Sequence, residues 1–247
     1  MRGGIETFGY NPDFQLKLLL IDIFAAVITN TDPSLPSLYS PHPVPAPSRA
    51  LGLEQDSVLD SPLYGHRDLD GLLEDLAFRG TEIRLLQSMR NLTLAAKEYT
   101  VNAQDLLTGL RTTTSESDSN TSPLYRIIFH ASRIYSRLFH SPPIPLSSCL
   151  NMESCSILIE ELESPLNDTT WLRYPGIFLW ILLVAAVASD GSPERAFLTQ
   201  LFGKIVSVAR WGWWREVRES MAVFLEMRRR AELTRTRLRR DRNRTNG

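Results

Sequence analysis

Residues 174–190 read YPGIFLWILLVAAVASD, and the twelve residues from Ile177 to Ala188 carry no polar side chain. Pro175 suits the first turn of a helix, where its missing N–H costs nothing. Ser189, Asp190 and Gly191 close the run. A membrane-spanning helix needs about 20 apolar residues, whereas a run of about 10–14 fits a buried helix. The stretch is therefore expected to be the central helix of a core, and the chain is expected to have no membrane partner.

Toward the C-terminus, Ser192-Pro193-Glu194 opens a helix with Phe197, Leu201, Ile205 and Val208 on one side. Trp211-Gly212-Trp213-Trp214 reads as a turn, and Arg215 to Arg230 as a final helix with Val217, Met221, Phe224 and Leu225 inward. Toward the N-terminus, Ser147 to Leu162 reads as a helix ending near Glu160, Glu161 and Glu163. Before it, Ser122-Pro123 starts a helix with a buried stripe of Ile127, Ala131, Ile134 and Leu138. Arg126, Arg133 and Arg137 lie on its other face, and Pro142, Pro143 and Pro145 end it. A helical zone from Arg67 to Leu110 has Leu69, Leu72, Leu73 and Leu76 at helical spacing. It restarts at Gly80-Thr81, with a stripe of Ile83, Leu86, Met89, Leu92 and Ala96. The first helix is Phe14 to Ile28, with Asp13 as N-cap.

Two mobile loops are expected, near residues 31–65 and 111–122. The first has six prolines between Pro33 and Pro47, and the second is rich in Ser and Thr. No strand pattern and no repeat is present. The predicted class is all-α: a multi-helix bundle or array of short antiparallel helices around one core, with no sheet. The body spans residues 1–227, and an Arg-rich tail spans 228–247.

The 247 residues hold 27 Lys+Arg and 28 Asp+Glu, a formal net charge of −1. That average hides a split. Residues 1–209 carry 15 basic and 23 acidic side chains, residues 210–247 carry 12 and 5. An acidic body of this kind excludes one that wraps nucleic acid through a general basic surface. Of the basic residues 24 are Arg, which reads as a coding bias. The two cysteines, Cys149 and Cys155, are too few for a disulfide framework or a Cys-only zinc site, and both are expected to be buried thiols in a reducing compartment. Met1 to Tyr10 has no signal-peptide pattern, so the Asn-x-Ser/Thr matches at Asn91, Asn120, Asn167 and Asn243 are not expected to be glycosylated.

No phosphate-cradling glycine motif and no Gly-x-Ser-x-Gly elbow occurs. The four histidines (His42, His66, His130 and His140) are widely spaced, and His130 reads as a half-buried helix residue. His140 with Cys149 and Cys155 would make a poor metal site. Glu160, Glu161 and Glu163 read as a solvated helix end. No enzyme, no metal and no cofactor is expected.

All five tryptophans fall between Trp171 and Trp214. Trp180, Trp213 and Trp214 are candidates for lining a ligand cavity or the core, with core packing favoured. Nine arginines fall between Arg228 and Arg244, against Glu232 and Asp241. Arg228, Arg229, Arg230, Arg237, Arg239, Arg240 and Arg242 are candidates for nuclear localisation or phosphate contact. A solvated helix extension and a localisation signal rank level, with direct DNA contact third. No aromatic interleaves with the arginines, which disfavours stacking on single strands.

The runs WLRYPGIFLWILLVAAVAS, SPERAFLTQLFGKIVSVAR and WGWWREVRESMAVFLEM resemble the C-terminal regulatory region of fungal Zn(2)-Cys(6) binuclear-cluster transcription factors. The matching positions are Tyr174, Pro175, Gly176, Leu179, Trp180, Phe197, Trp214, Val217, Phe224 and Leu225. Phe14 to Leu38 and Tyr125 to Pro145 fit the family's earlier helices, so the resemblance spans most of residues 10–230. It is a packing pattern and not a catalytic signature.

The resemblance implies a nuclear, all-helical regulatory domain of an RNA polymerase II transcription factor from a filamentous fungus. Its partners would be transcription coregulators, a DNA-binding partner or a small-molecule effector, and a homodimer is open to it. The family's zinc belongs to an N-terminal six-cysteine cluster that two cysteines cannot build. The chain is then either truncated at its N-terminus or a stand-alone regulatory domain, and DNA reading by this chain is not expected. The alternative is a helical protein-interaction scaffold with no role in transcription.

Overall fold

The computed structural model describes residues 12–35, 60–65, 69, 78–98, 107, 122–163, 174–208 and 214–245. Among these residues the chain forms α1 (Pro12–Thr29), α2 (Gly80–Lys97), α3 (Pro123–Ser136), α4 (Met152–Glu163), α5 (Pro175–Ala188), α6 (Glu194–Val208) and α7 (Trp214–Thr245). Short 3-10 turns at Arg137–Phe139 and Cys149–Asn151 lie between α3 and α4. No strand occurs among the described residues. The class is all-α around one packed core, as the sequence predicts.

The deciding stretch is the centre of that core. Every residue from Pro175 to Val187 is buried, and α5 touches α1, α3, α4, α6 and α7. With no polar face to turn outward, α5 is stable only when other helices surround it. Each large side chain buried there contributes about 1.5–3 kcal/mol. Among the described residues no helix is long and apolar enough to cross a membrane.

The flanking stripes pack against it. Ile127, Ala131 and Ile134 of α3 are fully buried, with Leu138 just beyond. The Ser122 hydroxyl accepts the Tyr125 N–H at 3.1 Å and caps α3 as expected. Leu86, Met89 and Leu92 of α2 are buried, as are Val217, Met221, Phe224 and Leu225 of α7. Tyr135 is edge-on to Trp180 at 5.8 Å between ring centres and stacks on Phe224 at 6.0 Å.

Five expectations are corrected. The buried face of α6 carries Leu198 and Phe202, while Phe197 and Leu201 are half-buried. Phe202 sets that rotation by stacking on Phe24 of α1, with ring centres 3.8 Å apart. The N-cap of α2 is Arg79, and Thr81 lies in the first turn, where its hydroxyl donates to Glu82 at 2.8 Å. The 147–162 helix splits into a 3-10 turn and α4, because Ser148 caps the Leu150 N–H. Cys149, in that surface turn, is exposed. The final helix runs to Thr245 instead of ending at Arg230. No Pro or Gly interrupts residues 231–245, which are rich in strong helix formers. The expected division at residues 227 and 228 thus falls inside α7.

Residues 31–35 and 60–65, at the ends of the first expected loop, are docked. Ser34 and Leu35 N–H groups donate to the Asp22 carboxylate at 3.1 and 2.8 Å. Ser61, Pro62 and Leu63 are buried. The rest of that loop, residues 67–68, 70–77, 99–106 and 108–110 of the helical zone expected from Arg67 to Leu110, the loop at 111–121 and the turn at 211–213 lie outside the described residues.

Candidate functional site

Arg228, Arg229 and Arg230 are held by the body. α1 ends in a left-handed Asn30 with φ 58°, and the Thr31 N–H reaches back to the Ala26 carbonyl at 3.1 Å. That leaves carbonyls of the last turn open. The Arg228 guanidinium donates to Val27 O and, at 3.4 Å, to Ile28 O. Arg229 donates to Thr31 O at 2.9 Å and pairs with Asp32 at 2.6 Å. Arg230 reaches Ala96 O in the last turn of α2 at 2.6 Å, and Glu226 at 2.6 Å. Cations at helix C-termini are favoured by the macrodipole as well as by the open carbonyls. Three consecutive arginines therefore tie α7 to the ends of α1 and α2.

Burial holds the Arg228 guanidinium down to about 10, with Arg195 adding to the effect and Asp190 and Glu232 opposing it. Arg195 and Asp190 pair with each other at 2.7 Å.

Beyond these clamps α7 lines a groove of about 560 Å³ with residues 143–148 and Leu150. On the helix wall stand Arg228, Ala231, Glu232, Arg235 and Arg239. At about 100° per residue, positions 228, 235 and 239 fall on one face. Arg235 pairs with Glu232 at 2.7 Å, and its Nε is shielded from solvent without a hydrogen-bond partner. Arg239 is exposed, with no ion pair among the described residues.

The opposite wall is rigid for an identifiable reason. Asn151 is fully buried, and its Nδ2 donates to Pro145 O at 3.1 Å and Leu146 O at 2.8 Å. Arg137 clamps both Leu150 O and Asn151 Oδ1. The Ile144 N–H donates to Arg137 O at 2.9 Å.

A second cleft, of about 530 Å³, lies where α2 and α7 meet residues 60–65. Arg90 is buried there and donates to Gly65 O. Burial lowers its pKa, opposed by Asp60. Thr93 and Tyr135 share a hydrogen bond at 2.9 Å, and burial pushes the Tyr135 phenol up. Gly65 is required: its φ is +105°, and a Cβ would stand 1.8 Å from Asp60 Oδ1.

Of the tryptophan candidates, Trp180 is fully buried and lines neither the groove nor the cleft; it is core. Trp213 and the side chain of Trp214 lie outside the described residues. Arg237, Arg239, Arg240 and Arg242 are exposed on α7. Glu161 pairs with Arg126 at 2.7 Å, while Glu160 and Glu163 are exposed. Among the described residues no three of His, Cys, Asp and Glu gather as a metal site.

The Asn30 cap, Arg235, Glu232 and the 143–148 wall were absent from the sequence-based candidates. The signal for Arg235 and Glu232 was available: extending the last helix past Arg230 places Arg235 on one face with Arg228 and Arg239, and Glu232 one turn before it. No family model, curated protein or solved structure matches the chain.

Proposed function

We propose that the chain is a non-enzymatic regulatory domain acting in transcription in a fungal nucleus, through coregulators or a DNA-binding partner. The observation that carries this reading is α7. Its first half is core, through Val217, Met221, Phe224 and Leu225. Its second half presents Arg237, Arg239, Arg240 and Arg242 to solvent on the same continuous helix. A basic helix rooted in a core couples the state of the body to whatever acidic surface or import factor it meets. The resemblance of residues 10–230 to the regulatory region of binuclear-cluster factors supplies the transcriptional context.

The test is a fusion of the full chain to a foreign DNA-binding domain beside a reporter gene. A severalfold change in reporter output is expected. A well-expressed fusion that leaves the reporter unchanged overturns the reading in favour of a non-transcriptional scaffold.

A further inference from the structure

The groove between α7 and residues 143–150 has the composition of a binding site for one kind of molecule. Its volume of about 560 Å³ lies within the roughly 300–1,000 Å³ of small-molecule pockets. Leu138, Pro143, Ile144 and Leu146 give it an apolar wall. Three guanidinium groups face it, against the single carboxylate of Glu232, already paired with Arg235.

The charge left unmatched in the groove is all cationic. Arg228 donates to the Val27 and Ile28 carbonyls, which do not neutralise its charge. The Arg235 Nε has no acceptor, and Arg239 has no counter-ion among the described residues. A shielded N–H without an acceptor is costly, and an entering anion that accepts from the Arg235 Nε and pairs with Arg239 removes that cost. The apolar wall asks for an apolar body behind the charge. The second cleft is a weaker candidate, because Arg90 is engaged by Gly65 O and Asp60 and Glu219 balance its cations.

We propose that this groove binds a small amphipathic organic anion, its carboxylate or sulfonate between Arg235 and Arg239 and its apolar body against Ile144 and Leu146. The wall is preorganised by Asn151 and Arg137, so little ordering is needed on binding. The proposal names the effector site of the regulatory domain proposed above, yet its test reads binding alone, so either can fail without the other.

The experiment is calorimetric titration of the full chain at low salt with phenylbutyrate, octanoate and naphthalenesulfonate. Phenylbutanamide serves as the neutral isostere, and inorganic phosphate as an anion without an apolar body. Saturable one-to-one binding of at least one amphipathic anion is expected, about tenfold or more tighter than amide or phosphate. R239Q, at an exposed position, should weaken it about tenfold with unchanged melting temperature, and A231W should abolish it by filling the groove. R235Q should act like R239Q. If R235Q or A231W fails to fold, R239Q decides alone. No saturable binding of any of the three anions overturns the proposal. So does equal affinity for the amide or phosphate, or binding unaffected by R239Q.

Discussion

Truncating the chain within α7 separates the structural arginines from the exposed ones. Ending the chain after Met227 removes Arg228, Arg229 and Arg230 with everything beyond them. The carbonyls of Val27, Ile28, Thr31 and Ala96 then lose their donors. A hydrogen bond involving a charged group contributes about 1.5–3 kcal/mol, and an exposed ion pair such as Arg229 with Asp32 under about 1 kcal/mol. Arg228 pays for its burial, so the low end applies to it. With each of the three arginines at the low end, the total loss is on the order of 5 kcal/mol, and for a chain of this size that lowers the melting temperature by about 10–20 °C. Ending after Thr236 keeps all three clamps and the Glu232–Arg235 pair while removing Arg237, Arg239, Arg240 and Arg242. That truncation should shift melting by no more than about 3 °C. Thermal denaturation followed by circular dichroism, on three proteins of matched concentration, measures both shifts. Melting of the 1–227 protein within about 2 °C of the full chain, or an equal loss in the 1–236 protein, refutes the clamp. The same pair clarifies localisation. Loss of nuclear signal on ending at 236 implicates the exposed arginines, whereas loss only on ending at 227 follows from damage to the fold.

Other consequences are equally concrete. Gly65→Ala forces a Cβ into Asp60 at a left-handed φ, and should cost about 1–3 kcal/mol, read as a lower urea midpoint. Cys149 is exposed while burial, with Glu194 beside it, pushes the Cys155 thiol up to about 11. A thiol reagent at neutral pH should label Cys149 quickly and Cys155 only after denaturation, as peptide mass mapping will show; early labelling of Cys155 sinks its assigned burial. His130 is buried on α3, and burial, followed by Arg133 and Arg126, holds its pKa below 6.5 against Glu153 and Glu161. The unfolded chain therefore takes up this proton first as pH falls through about 6.5, and stability drops from there toward the folded pKa. His130→Gln should flatten that slope in urea midpoints taken between about pH 7.5 and 5.5, and an unchanged slope rules His130 out as its source.

The core was legible because its signal is periodic. Ile127, Ala131 and Ile134 repeat at helical spacing, as do Met221, Phe224 and Leu225, and burial follows from that spacing alone. The α6 face was misplaced by one residue because Phe197, Leu198, Leu201 and Phe202 offer two overlapping stripes. A contact from α1, Phe24 on Phe202, decides between them. No local pattern encodes a partner more than a hundred residues away. The clamp was illegible for the same reason, since Arg228 meets Val27 and Ile28 from the other end of the chain.

The charge split explains why the basic segment resists a single role. A run of like charges on an isolated helix repels itself, and neither Glu232 nor Asp241 offsets nine arginines. The fold relieves that repulsion unevenly. Arg228, Arg229 and Arg230 are absorbed by carbonyls at the negative ends of α1 and α2. Arg235 takes the nearest carboxylate. The remaining positive potential is concentrated where α7 leaves the body, around Arg239. Long-range attraction of anions is strongest there and falls with salt, because exposed charges are screened within about 10 Å at 0.1 M ionic strength. Affinity for any anion in the groove should therefore weaken as salt rises. The clamps, partly buried and bonded to carbonyls, should not, so raising the salt should release the ligand without melting the fold.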